Sequence, residues 1–70
     1  MGLRQNNRMA ARARLWLPLQ LEDGPRRARD LYEMGLEIGI SKGMLSHVMR
    51  QLKVKTTRRR DGWWWEHSNG

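Results

Sequence analysis

Cysteine is absent from the 70 residues. That excludes a disulfide framework and a thiolate zinc site. A chain of this length builds a marginal core, so packing, a partner or both must hold it. The lack of cysteine also fits a reducing cytoplasm. No apolar run approaches the roughly 20 residues that span a bilayer. Arginines interrupt the N-terminal apolar residues, so no secretory signal is expected. Histidine is scarce too. His47 and His67 are far apart in the chain and have no cysteine near them, which argues against a metal site. With scattered carboxylates they form no nucleophile, base and acid set, so neither a catalytic centre nor a cofactor is expected.

Acidic residues are missing from both basic zones. Residues 1–20 carry Arg4, Arg8, Arg12 and Arg14 and no acid; residues 41–60 carry Lys42, Arg50, Lys53, Lys55, Arg58, Arg59 and Arg60 and again none. The intervening stretch holds Glu22, Asp23, Asp30, Glu33 and Glu37. Net charge is +7 and the isoelectric point is near 11.4. A value above about 9 is the electrostatic footprint of a nucleic-acid binder. The segregation of sign points to a directed positive face rather than a uniformly solvated surface.

Residues 1–8, MGLRQNNR, show no periodicity and read as a mobile basic arm. The domain is expected over 9–67, with a short tail at 68–70. MAARARLWLPLQL is rich in alanine and leucine and suits a first helix over about 9–21. Pro18 either kinks that helix or opens a second short piece. Asp23-Gly24-Pro25 is a break, and Asp23 is a candidate cap for the next helix. That second helix starts at Pro25 or Arg26, with Ala28, Leu31, Tyr32 and Met34 near helical spacing. It ends at Met34 or runs on to Ile38, with Gly35 and Gly39 as candidate stops.

Ser41 is a good N-cap for a third helix, about Lys42 to Lys53. There Leu45, Val48, Met49 and Leu52 share one face. Lys42, Gly43, Ser46, His47, Arg50 and Lys53 share the other. Val54, Thr56 and Thr57 then favour a strand. Asp61-Gly62 signals a tight hairpin, and Trp63, Trp64 and Trp65 form the returning strand. Trp63 and Trp65 point one way and Trp64 the other. One face can cover the core, and packing outweighs base stacking as the role of these rings.

The expected fold is therefore mainly α with a small β-hairpin: three helices plus a C-terminal wing, a winged helix-turn-helix. Two helices joined by a short glycine-containing turn form a helix-turn-helix. Its second helix, 42–53, would enter the major groove of double-stranded DNA by its N-terminal residues. Ser41, Lys42, Gly43 and Met44 begin it, and the small residues permit close approach to phosphate. Ser46, His47 and Arg50 reach outward, and Arg50 suits a bidentate contact to guanine. The wing, 55–63, places Lys55, Thr57, Arg58, Arg59 and Arg60 against backbone or minor groove, with Lys53 on the approach.

These same residues carry a resemblance. Leu21 with Asp23-Gly24-Pro25, Gly39-Ile40-Ser41, Leu45, Leu52 with Val54, and Trp63 with Trp65 resemble the C-terminal winged-helix module of phage and plasmid RepA-type replicative helicases and primase-helicases. About two thirds of the chain is covered. Met44 stands where that family often has threonine, and Lys53 where it has glycine. No G-x-x-x-x-G-K-[ST] loop occurs, so the resemblance implies fold and DNA binding rather than helicase or primase activity. It implies a mobile-element protein acting in replication, excision or transcriptional control. Its place would be the cytoplasm of a bacterial cell or a phage-infected host. Its partners would be duplex DNA, and a replication or recombination protein or a second copy.

Two other readings compete. Leu15, Trp16, Leu17, Leu19 and Leu21 form an apolar stretch suited to protein docking. The surrounding MAARARLWLPLQL also has the composition of a membrane-surface helix.

Overall fold

The computed structural model describes residues 2–67, with side chains from residue 8 onward. The expected tail at 68–70 lies outside the described residues. Three helices and a three-stranded antiparallel sheet make up the fold. The helices are α1 (Gly2–Gln20), α2 (Ala28–Glu37) and α3 (Lys42–Gln51). The strands are β1 (Arg26–Arg27), β2 (Lys55–Arg59) and β3 (Gly62–Glu66), in the spatial order β1-β3-β2.

α1 starts at Gly2, well before the expected Met9. Neither proline nor a β-branched residue interrupts residues 2–17, and Leu3, Arg4, Gln5 and Arg8 are good helix formers. Pro18 is inside the helix, in its last turn. Its ring supplies no N–H, and the chain closes beyond it with shorter-range bonds: Leu21 N–H to Pro18 O (3.1 Å) and Glu22 N–H to Leu19 O (3.4 Å). One continuous helix with a tightened end replaces the alternative in which Pro18 opens a second short piece.

The second helix begins later than its sequence suggests. Arg26 and Arg27 are extended and pair with Trp65 and Trp64 of β3. Arg27 is the residue that caps α2, without a side-chain bond, so Asp23 is not its cap. This edge strand has no period of its own; it exists because β3 offers it unpaired backbone groups.

α2 and α3 end alike. Past α2, Ile40 N–H bonds Gly35 O at 2.8 Å and Gly39 N–H bonds Leu36 O at 3.1 Å. Past α3, Val54 N–H bonds Met49 O at 2.9 Å and Lys53 N–H bonds Arg50 O at 3.1 Å. Both are Schellman motifs, which need a left-handed residue at the turn. Gly39 supplies it with φ 88°, and Lys53 with φ 55°. Lys53 therefore occupies the position where the resembling family has glycine, and α3 stops at Gln51 rather than reaching it. Ser41 caps α3 as its position suggests: its Oγ accepts from Met44 N–H at 3.2 Å.

The core forms where the three helices and β3 meet. Ala10, Ala13, Leu17 and Leu21 line one stripe of α1 and its end. They pack with Ala28 and Leu31 of α2, Ile40 of the turn, Leu45 and Val48 of α3, and Trp65. Fully burying a leucine or valine contributes about 1.5–3 kcal/mol, so these few side chains supply most of the driving force. Two arginines of α1 brace the helices: Arg12 Nη1 donates to Ile38 O (2.8 Å) and Arg14 Nε to Gln51 Oε1 (3.2 Å).

The hairpin turns at Arg60 and Asp61. The left-handed step falls on Gly62, φ 125°. Asp61 fastens the turn to the sheet. It accepts from Trp64 Nε1 at 2.9 Å and pairs with Arg27 Nη2 at 3.0 Å. The Trp64 indole holds the Asp61 carboxyl below the usual carboxylate range, against an opposing contribution from desolvation. A backbone amide and the charges of Arg27 and Arg59 assist the indole.

Gly39→Ala forces a side chain into left-handed backbone, at a cost of about 1–2 kcal/mol. Thermal unfolding monitored by circular dichroism should show Tm lower by several degrees; an unchanged Tm would mean the turn relaxes without that conformation. Asp61 has a lowered folded pKa, so its contribution is complete above the ordinary value near pH 4 and is lost as pH falls through the folded value. Near-UV dichroism of the tryptophans should change on acidification below about pH 4, and Asp61→Asn should remove that part of the titration.

Candidate nucleic-acid interface

α3 presents a ridge away from the core. A helical step of about 3.6 residues aligns Gly43, His47 and Arg50 on one line. Gly43, His47 and Arg50 are all exposed. No acid occurs in α3. Among the described residues, the side chains of His47 and Arg50 make no hydrogen bond, ion pair or ring contact. The fold does not use either polar group. Gly43 is likewise unneeded locally: its φ is not positive, and a Cβ built there meets nothing within 4 Å.

Other candidates on α3 are used by the fold. The Ser46 hydroxyl is 2.7 Å from Tyr32 OH in a part-buried bond between α3 and α2. Ser46 is thus not a freely exposed contact, because Tyr32 claims its hydroxyl. Met44 is partly buried against the core. The Ser41 hydroxyl is taken by its capping role and by a weak bond to Met9 Sδ at 3.6 Å. Lys42 leans toward α2, with Nζ 5.2 Å from the Tyr32 ring centroid. Lys53 is exposed at the turn beyond the helix.

The wing cations are divided by the alternation of the sheet. Lys55, Thr57 and Arg59 stand opposite Glu66, Trp64 and Gly62, on the face turned away from Trp65. Lys55 Nζ lies 4.0 Å from Glu66. Arg59 and Arg27 both lie over the Trp64 ring, at 4.5 and 5.7 Å from its centroid. Arg58 is on the face toward the helices, 5.8 Å from the Trp63 ring centroid. Arg60 sits at the turn with no partner among the described residues. Arg58, Arg59 and Arg60 therefore act in three directions rather than as one cluster.

The tryptophans alternate as expected, yet only Trp65 enters the core, at 2% exposure. Trp63 shares its face but stays 51% exposed, because it stands nearer the hairpin turn. Trp64 is half-buried between two guanidinium groups rather than left to solvent.

A notch of about 360 Å³ opens between α2, the start of α3 and the hairpin. Arg27, Arg29, Tyr32, Lys42 and Trp63 contribute to its walls, with Glu33 and Asp61. Arg27 and Arg29 are additions to the contact residues that the sequence pattern indicates. Their signal is the run Arg26-Arg27-Ala28-Arg29, which reads as an ordinary helix start until β1 and the hairpin bring it beside Lys42.

The N-terminal arginines are partly committed. Arg12 and Arg14 serve as braces, Arg8 is exposed, and the Arg4 side chain is outside the described ones. The apolar stretch of α1 is mostly internal as well. Leu17 and Leu21 are in the core and Trp16 is half-buried, leaving Leu15 and Leu19 outside. No described helix is long and apolar enough to cross a membrane. Among the described residues no group of three or more His, Cys, Asp or Glu could hold a metal ion.

Comparison with protein-family models, with curated proteins and with solved structures finds no match to this chain.

Proposed function

We propose that the chain is a non-enzymatic winged-helix protein that binds duplex DNA, with α3 in the major groove and the β2–β3 hairpin as its wing. The carrying observation is the acid-free ridge of Gly43, His47 and Arg50, whose polar groups the fold does not use. Support comes from the order helix, strand, helix, helix, hairpin and from the sheet order β1-β3-β2. With the Met44 amide taken by Ser41, the first turn of α3 offers the amides of Lys42 and Gly43 to a phosphate, and Arg50 has the reach for a guanine edge. Arg60 meets the backbone from the turn, and Lys53 and Arg58 add charge between helix and wing. In this reading the setting is a phage or plasmid protein of replication, excision or transcriptional control, as the sequence resemblance implies. A docking role for α1 has less to work with, since only Leu15 and Leu19 of its apolar stretch are free.

Binding of the full chain to random-sequence duplex across a salt series tests the proposal. Arg59 is tied to Trp64, so the cleanest variant combines Arg50→Ala with Arg60→Ala, two side chains without partners. Affinity should fall at least about tenfold, and the salt slope should become shallower by about 0.9 for each phosphate that is no longer neutralised. Absence of binding by the unmodified chain at low salt would sink the reading.

Gly43 provides an independent check. Alanine is better than glycine inside a helix by about 0.5–1 kcal/mol, and the site has room for it. Gly43→Ala should therefore raise Tm while weakening DNA binding, because the new methyl occupies the space where the sugar-phosphate backbone approaches. A variant that is more stable and binds equally well would remove α3's first turn from the interface.

A further inference from the structure

We infer that the notch beside the hairpin takes an unpaired base together with its phosphate, so that the protein prefers DNA interrupted by an unpaired nucleotide over continuous duplex. This rests on the DNA-binding reading.

The walls of the notch combine two kinds of chemistry. Tyr32 and Trp63 supply aromatic surface, and Arg27, Arg29 and Lys42 supply positive charge. A volume of about 360 Å³ is at the small end of the range for bound organic ligands, about 300–1,000 Å³. Trp63 is the unusual member. It exposes half of a large apolar side chain, while Trp65, two residues on, already serves the core. It is nonetheless held in place: it pairs with Arg58 of β2, and the Arg58 guanidinium lies 5.8 Å from its ring centroid. An aromatic ring fixed on a strand stacks on a base with little ordering cost, and such stacking tolerates any sequence.

The charges are arranged to accept the attached phosphate. Arg29 is exposed and has no partner among the described residues. Lys42 is held near Tyr32 only by its ring contact. Of the two carboxylates in the lining, Asp61 is already engaged by Trp64 and Arg27, which leaves Glu33 as the opposing charge. A base inside continuous duplex has both faces covered by its neighbours and cannot reach Trp63. An unpaired base has a face free, and its phosphate enters the notch with it.

The test uses the full chain and two DNAs, a continuous duplex and the same duplex with one extra, unpaired 2-aminopurine at its centre. The bulged DNA should bind about tenfold more tightly, and 2-aminopurine emission should be quenched on binding as the base stacks. Trp63→Leu should abolish both the preference and the quenching, and Trp63→Phe should keep part of each. Arg29→Ala, at an exposed and unpartnered side chain, should weaken bulged DNA more than duplex; it keeps the test readable if Trp63→Leu disturbs the hairpin. Equal binding of the two DNAs without quenching would overturn the inference and leave the DNA-binding reading intact. A preference that survives both Trp63→Leu and Arg29→Ala would overturn the assignment to this notch. Failure to bind either DNA at low salt would defeat the DNA-binding reading itself, a different outcome from the other two.

Discussion

Burial of one indole, Trp65, joins the sheet to the helices. Its ring meets Tyr32 edge-on with centroids 5.2 Å apart, and its backbone pairs with Arg26 on one side and Thr56 on the other. A chain without disulfides has no covalent means of clamping a hairpin onto a three-helix core. β2 is exposed along its whole length, and β1 contributes two exposed arginines, so neither anchors the sheet by burial. The position of the hairpin relative to α2 and α3 therefore depends on Trp65. That position also sets the width of the notch and the placement of Trp63 and Arg58 beside α3.

The second constraint is the pair of matching turns that bracket α3. Gly39 stops α2 and Lys53 stops α3, each in left-handed backbone. The first lets Ser41 cap the new helix only two residues later, and the second sends the chain directly into β2. Glycine adopts this conformation freely, whereas a side chain there costs roughly 1 kcal/mol or more. The chain bears that cost at Lys53 and avoids it with glycine at Gly39, after which Ile40 turns straight back into the core at 0% exposure. The lysine at the junction of helix and wing thus stands against local backbone preference.

Local signals are the legible part. The cap at Ser41, the stop at Gly39 and the apolar face of α3 each depend on residues near one another in the chain and stand where the sequence puts them; the Asp61-Gly62 signal marks the hairpin too, with the turn one residue earlier, at Arg60 and Asp61. What escapes depends on distant partners. β1 is two arginines with no pattern, and it forms only because β3 presents an open edge. Ser46 looks like a surface serine until Tyr32, fourteen residues away, takes its hydroxyl. The alternation of the tryptophans is readable, but not which of them the helices cover. At the candidate interface, His47 and Arg50 are legible because a helical period places them, while Arg27 and Arg29 require the tertiary fold.

The division of arginines between structure and surface bears on function. Arg12, Arg14 and Arg26 hold carbonyl or amide oxygens, and Arg27 and Arg59 hold Trp64. A fold that needed charge only for solubility would mix both signs over its exposed surface. Among the described residues, Arg29, Arg50 and Arg60 are cations without a partner, and they belong to three different elements, α2, α3 and the hairpin turn. The acids Asp30, Glu33 and Glu37 lie along one stripe of α2, and α3 carries none. The internal needs of the fold do not account for arginines left without a side-chain partner on these elements, and the proposed binding to duplex DNA would use them.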